Sequence, residues 1–161
     1  MPKDSPIQDI RELDGKSVAF PAPNALGASL LMRAELETVH GVKVKPLYVQ
    51  THSSVYLNVI LNKAAAGGGV LSTLKGQKKE IQDRLRVFYQ TRAMAPHPLT
   101  AHPRVPREHR EAVRQALLEM TASEEGRTLL KKIPMLEAIA ANPKDYRVLK
   151  DWGLERFYEG Q

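Results

Sequence analysis

The sequence predicts an α/β fold, a mainly parallel sheet flanked by helices, with additional helices toward the C-terminus. Two observations carry this prediction. Short apolar runs at Ser17–Phe20, Val42–Val49 and Leu85–Tyr89 alternate with helical patterns long enough to act as crossovers. After residue 90 the pattern changes to a proline-rich stretch followed only by helices.

Met1 to Ile7 reads as a loose lead-in, and Leu13-Asp14-Gly15-Lys16 as a turn feeding the strand Ser17–Phe20. Pro21-Ala22-Pro23-Asn24 then turns the chain into a helix that starts at or just after Asn24 and runs to His40. Leu26, Leu30 and Ala34 form its apolar stripe, Arg33, Glu35 and Glu37 are expected to face water, and Gly41 is placed to end it. Val42 to Val49 alternates imperfectly around Lys43, Lys45 and Pro46, as an edge strand does. Thr51 or Ser53 caps the next helix, which extends to about Asn62 with Val55, Val59 and Ile60 inward.

Gly67-Gly68-Gly69 signals either positive φ or a close approach of other atoms. One helix is expected over Leu71 to Arg84, with Gly76 as its weakest point, and then the strand Leu85–Tyr89. Pro96, Pro98, Pro103 and Pro106 make residues 95–106 an extended crossing segment. Helices follow over Arg107–Thr121, with Val113, Leu117 and Met120 as a buried stripe, and over Glu124–Lys132 behind a Ser123 cap. Asn142-Pro143 opens a last helix, to about Trp152, which Gly153 ends. The domain expectation is an α/β unit over 8–89, and a crossing segment with C-terminal helices over 90–161.

With 161 residues the chain can bury a core, and 42% hydrophobic and 26% charged residues are ordinary for a globular protein. The absence of cysteine excludes disulfides and thiolate chemistry. The net charge of +6 favours anions. It does not point to nucleic acid, because the basic residues are interspersed with 18 acids and Lys75-Gly76-Gln77-Lys78-Lys79 lacks interleaved aromatics. His97, His102 and His109 are separated by prolines and do not share a helical face, so they read as loop histidines and not as a metal site. The triple glycine lacks the Gly-Lys-Ser/Thr ending of a nucleotide loop, and no nucleophile elbow or carboxylate pair suggests catalysis. No cofactor is expected.

A helix start directly after a strand presents unpaired N–H groups and a positive dipole end, a natural seat for an anion. That makes the turn into the helix that starts at or just after Asn24 a candidate site. Asn24 serves there as a helix cap, as a ligand donor, or as both; Gly27 and Ser29 are small either to admit the anion or to let the helix pack closely. His52, at the start of the second helix, is a pocket donor or a surface histidine.

The order Asp14–Pro21, Asn24–Leu31, Tyr48–Val55, Ala66–Gly69 and Leu85–Val87, continued by Pro96-His97-Pro98 and the helix from Arg107, resembles the phosphate/phosphite/phosphonate-type substrate-binding proteins of ABC transporters. The resemblance implies a type II periplasmic-binding fold, two α/β lobes closing on a ligand. Residues 8–89 correspond to most of the second lobe and residues 90–161 to the return to the first lobe and the C-terminal helices, so the chain resembles the C-terminal portion of such a protein.

The same resemblance implies a ligand oxyanion held at Asn24, Ala25, Leu26, Gly27, Ala28 and Ser29, with His52 as a further donor. Asn and Ala stand where the family uses Ser and Thr, which keeps backbone donation and reduces side-chain donation. No acid lies within Lys63–Ala66, where some members recognise an amine. The implied partners are a small oxyanion such as phosphate, phosphite or a phosphonate and an ABC permease, with no nucleic acid, and the implied location of the full-length protein is the periplasm. A ligand-sensing regulatory domain is the alternative role. The apolar stripe of the helix from Arg107 suits self-association if it lacks a covering lobe.

Overall fold

Ser17–Phe20 forms the central strand, β1, of a three-stranded parallel sheet in a computed structural model that describes residues 1–133, 135 and 137–160. β1 pairs on one side with β2 (Lys45–Tyr48), in the register Ser17 with Lys45 through Phe20 with Tyr48. On its other side it pairs with β3 (Ala66–Gly67), Val18 opposite Ala66. Val18, Ala19 and Phe20 are all buried, the continuous burial of a parallel strand covered on both faces. β2 is an edge strand, which tolerates Pro46.

The chain separates into two compact units, residues 1–93 with 148–161, and residues 94–147. In the first unit, the crossover from β1 to β2 is one long helix. It begins as a π-turn, Leu26–Leu30, and continues as α1 (Leu31–His40). Gly41 ends it at φ 68°, with the Val42 amide reaching back to the Leu36 carbonyl at 2.8 Å, the glycine closure expected from the sequence. Thr51 caps α2 (His52–Ile60), accepting from the Ser54 amide at 3.0 Å. β3 is short and small because α2 lies directly on it. A Cβ on Gly67 would stand 2.5 Å from Val55 Cγ1, and one on Gly68 2.1 Å from the Ala28 carbonyl. The triple glycine is therefore used for close approach, not for positive φ.

Several expectations are corrected. The predicted helix over Leu71–Arg84 is two short pieces, α3 (Leu71–Lys75) and α4 (Lys79–Gln82). The Gln82 amide donates across the break to the carbonyls of Lys75 and Gln77. Leu85–Tyr89 is not a strand of the sheet. Leu85 makes a lone antiparallel bridge with Pro2, flanked by the Lys3 amide on the Arg84 carbonyl (2.9 Å) and the Arg86 amide on the Met1 carbonyl (3.0 Å). The N-terminal lead-in is not loose: the side chains of Met1 and Ile7 are buried with Leu13, Val18, Phe20 and Leu36. Arg33 and Glu35 do not face water, with side-chain exposures of 11% and 3%.

In the second unit, α5 (Arg107–Ala122) packs on α6 (Glu124–Lys131). Ser123 ends one and caps the other, its hydroxyl accepting from the Gly126 amide at 3.0 Å. The stripe of α5 is not buried as expected. Val113 is 57% exposed and Leu117 and Met120 are only half-buried, since among the described residues partial burial on α5 is confined to its C-terminal half. Residues 95–106 are irregular, as their prolines require. Asn142 and Asp145 form a reciprocal cap on the turn Pro143–Tyr146, followed by α7 (Arg147–Asp151). Gly153, at φ 59°, then starts a final 3-10 turn, Leu154–Phe157.

Candidate functional site

All three strands are parallel, so their carboxyl ends share one edge of the sheet, and a helix begins beyond each: the π-turn at Leu26, α2 at His52 and α3 at Leu71. Open parallel sheets bind ligands at this edge. Because β1 is central, the helix start that follows it lies between the other two connections.

The helix start is built without a side-chain cap. Its first flanking residue is Ala25, not Asn24. The Ala25 carbonyl accepts from both Ser29 at 2.8 Å and Leu30 at 3.1 Å, which widens the first turn into a π-turn. Among the described residues, the amides of Leu26, Gly27 and Ala28 have no protein acceptor. There is no acid in this turn, and the macrodipole of the combined helix adds roughly half a positive charge here. A Cβ built on Gly27 meets nothing within 4 Å, so the space beside that residue is open.

The two side chains that the sequence singled out here are engaged with protein. Ser29 is fully buried and donates its hydroxyl to the Ala22 carbonyl at 2.5 Å, bracing the turn from beneath. Asn24 donates to the Glu159 carbonyl and accepts from the Glu159 amide, both at 3.1 Å. His52, the first residue of α2, is half-buried, and its Nδ1 is shielded with no hydrogen-bond partner. His97, His102 and His109 are exposed, and among the described residues no group of three or more His, Asp or Glu side chains is arranged to hold a metal ion.

Four residues at this edge were not legible as site residues. Arg33 donates through Nη2 to the carbonyls of Pro23 (2.7 Å) and Phe157 (2.6 Å), and through Nη1 to Glu159 Oε1 (2.8 Å). Tyr48, at the end of β2, donates its hydroxyl to the same Oε1. Burial, then the Glu159 carboxylate, pushes the Tyr48 phenol up to about 12. Gln50 sits at φ 70° between β2 and α2, a conformation that costs a non-glycine residue about 1 kcal/mol. Only long-range pairing reveals Arg33, Tyr48 and Glu159, but a polar residue just before a helix cap was a usable signal for Gln50.

The family model described as "ABC transporter, phosphonate, periplasmic substrate-binding protein" matches residues 1–146. The chain belongs to this family. The family is described as that of periplasmic substrate-binding proteins of ABC transporters. Among solved structures, the one described as XAC2383 from Xanthomonas citri bound to chloride ion has the same fold, with a TM-score of 0.72 and 18% identity, covering 98% of this chain. This chain spans 64% of that one's length. No curated protein matches the sequence. The three-stranded parallel sheet flanked by helices is thus part of a periplasmic-binding fold, as the order of motifs implied.

Proposed function

We propose that this chain supplies one wall of a cleft that captures a small oxyanion, phosphate, phosphite or a phosphonate, for delivery to an ABC permease in the periplasm. The observation that carries this reading is the trio of unpaired amides at Leu26, Gly27 and Ala28, at the positive end of a long helix on the ligand-binding edge of the sheet. Asn24 and Ser29 hold the turn in shape, and Ala25 sets its first carbonyl. His52 stands at the start of the neighbouring helix as a further donor in this reading. Capture needs no chemistry: oriented N–H donors bind an anion at little reorganisation cost. Residues 8–89 carry the determinants of this wall, and residues 90–161 the return toward an opposing one.

The test is a titration of the labelled chain with sodium phosphate and with methylphosphonate, against chloride, followed by amide NMR. The phosphorus oxyanions shift the Leu26, Gly27 and Ala28 signals with a dissociation constant of about 1 mM, equivalent to about −4 kcal/mol. Gly27→Asp abolishes the shift without lowering the thermal midpoint, since the space beside Gly27 is open. Phosphate-induced shifts confined to other parts of the chain would overturn the reading.

A further inference from the structure

Residues 157–159 lie against the turn that leads into α1, and every polar group that joins them to it is accounted for. The Glu159 backbone pairs in both directions with the Asn24 side chain. The Glu159 carboxylate receives Arg33 Nη1 and the Tyr48 hydroxyl on one oxygen. Arg33 Nη2 in turn clamps the Pro23 carbonyl on the turn to the Phe157 carbonyl on the other segment. Arg33 also lies 5.9 Å over the Tyr48 ring, so the two side chains that grip Glu159 support each other. None of these bonds touches Leu26, Gly27 or Ala28. They fix Pro23 and Asn24, the residues immediately before Ala25, whose carbonyl closes the π-turn.

We infer that Glu159 is a positioning residue for the candidate anion site. The segment 157–159 is a strap that holds Pro23-Asn24-Ala25 in the geometry that leaves the three amides without a protein acceptor. The role matters because Ala25 lacks a capping side chain. A helix start without one frays unless something outside it restrains the preceding residues, and here the restraint comes from the far end of the sequence. This inference rests on the oxyanion reading for its functional meaning, but the strap itself is measurable without a ligand.

The experiment uses the full chain with Glu159→Ala, Glu159→Gln and Tyr48→Phe. The first readout is hydrogen exchange at Ser29 and Leu30, whose amides bond the Ala25 carbonyl, with Val55 and Val59 of α2 as the internal reference. The second is the dissociation constant for inorganic phosphate. Glu159→Ala speeds exchange at Ser29 and Leu30 about fivefold relative to Val55 and Val59, and weakens phosphate binding about fivefold. Glu159→Gln, which keeps an acceptor for Arg33 and Tyr48, restores both to within about twofold. Tyr48→Phe, which removes one hydroxyl, gives a smaller change in the same direction and serves if Glu159→Ala loosens the reference amides as well. Unchanged relative exchange at Ser29 and Leu30 in both Glu159→Ala and Tyr48→Phe overturns the strap, as does faster exchange with unaltered phosphate affinity. A wild-type chain whose helix-start amides ignore phosphate overturns the oxyanion reading instead, and the exchange arm still decides the strap.

Discussion

Arg92 donates through Nε and its backbone amide to Oε1 of Glu35, a carboxylate buried in the middle of α1, while Tyr89 donates to Oε2 at 2.8 Å. The same guanidinium stacks 4.8 Å over the Trp152 ring. One buried charge thereby ties α1 to the segment leaving the first compact unit and, through Trp152, to the segment that re-enters it.

Arg92→Ala should therefore destabilise the chain by about 3 kcal/mol, because it strands a desolvated carboxylate and does not merely delete a surface pair. Glu35→Gln should cost less, since the amide oxygen still accepts from Arg92 while its NH2 can donate to the Tyr89 hydroxyl oxygen. Urea denaturation followed by circular dichroism measures both, and an Arg92→Ala loss under about 1 kcal/mol, the size of an exposed pair, contradicts the assignment.

The acid limb follows from the same group. Burial pushes the Glu35 carboxyl up, but the hydrogen bonds from Arg92 and Tyr89 outweigh it and hold the folded-state pKa below the usual 4.5. A depressed carboxyl contributes stability that is present above the unfolded pKa and is lost as the pH falls through the folded one. The stability difference between wild type and Glu35→Gln should thus be constant above pH 4.5 and shrink below it. A difference that grows on acidification would contradict this.

At the alkaline end, three of the five tyrosines should ionise late, Tyr56 through its burial and Tyr48 and Tyr89 through burial and carboxylate partners. Burial, then hydrogen bonding to Glu159 and Glu35 respectively, pushes Tyr48 and Tyr89 each up to about 12. A raised phenol pKa contributes stability that is complete below the ordinary value near 10 and is lost as the pH rises toward 12. An ultraviolet tyrosinate titration should lose one late-ionising group in Tyr48→Phe and one in Tyr89→Phe. Losing an early one in either variant would show that the phenol is not engaged.

Gly68→Ala should be among the most damaging single changes in the first unit. Its Cβ would lie 2.1 Å from the Ala28 carbonyl and 2.5 Å from the Phe20 ring, both backed by fully packed structure. Overpacking of this kind costs about 3 kcal/mol, and relief can come only by moving the helix start away from β3. The variant should lose thermal stability and also displace the Ala28 amide signal. A thermal midpoint equal to wild type would mean that the contact is not rigid.

Elements whose cause is local were legible in the sequence. The β1 run, the Gly41 stop, the Thr51 and Ser123 caps and the Asn142-Pro143 helix opening each depend on residues within a few positions of one another. Leu85–Tyr89 is not in the sheet because strand composition is necessary but a partner strand is also required, and among the described residues its pairing stops at the single bridge to Pro2. Arg33 and Glu35 failed because helical periodicity assigns a face and not what covers it. At the candidate site, the open helix start was readable from the strand–turn–helix order, whereas the engagement of Asn24 was not.

Sequence alone settled the α/β class, the first strand–helix–strand crossover from Ser17–Phe20 to the strand before Thr51, and the family, since these follow from periodicity, punctuation and motif order along the chain. Tertiary structure alone decided that Glu35 is buried with Arg92, that Glu159 braces Asn24, and that Gly68 admits Ala28. These pairings join residues 57, 135 and 40 positions apart. Their partners are selected by three-dimensional proximity and desolvation, quantities that no local window of sequence encodes.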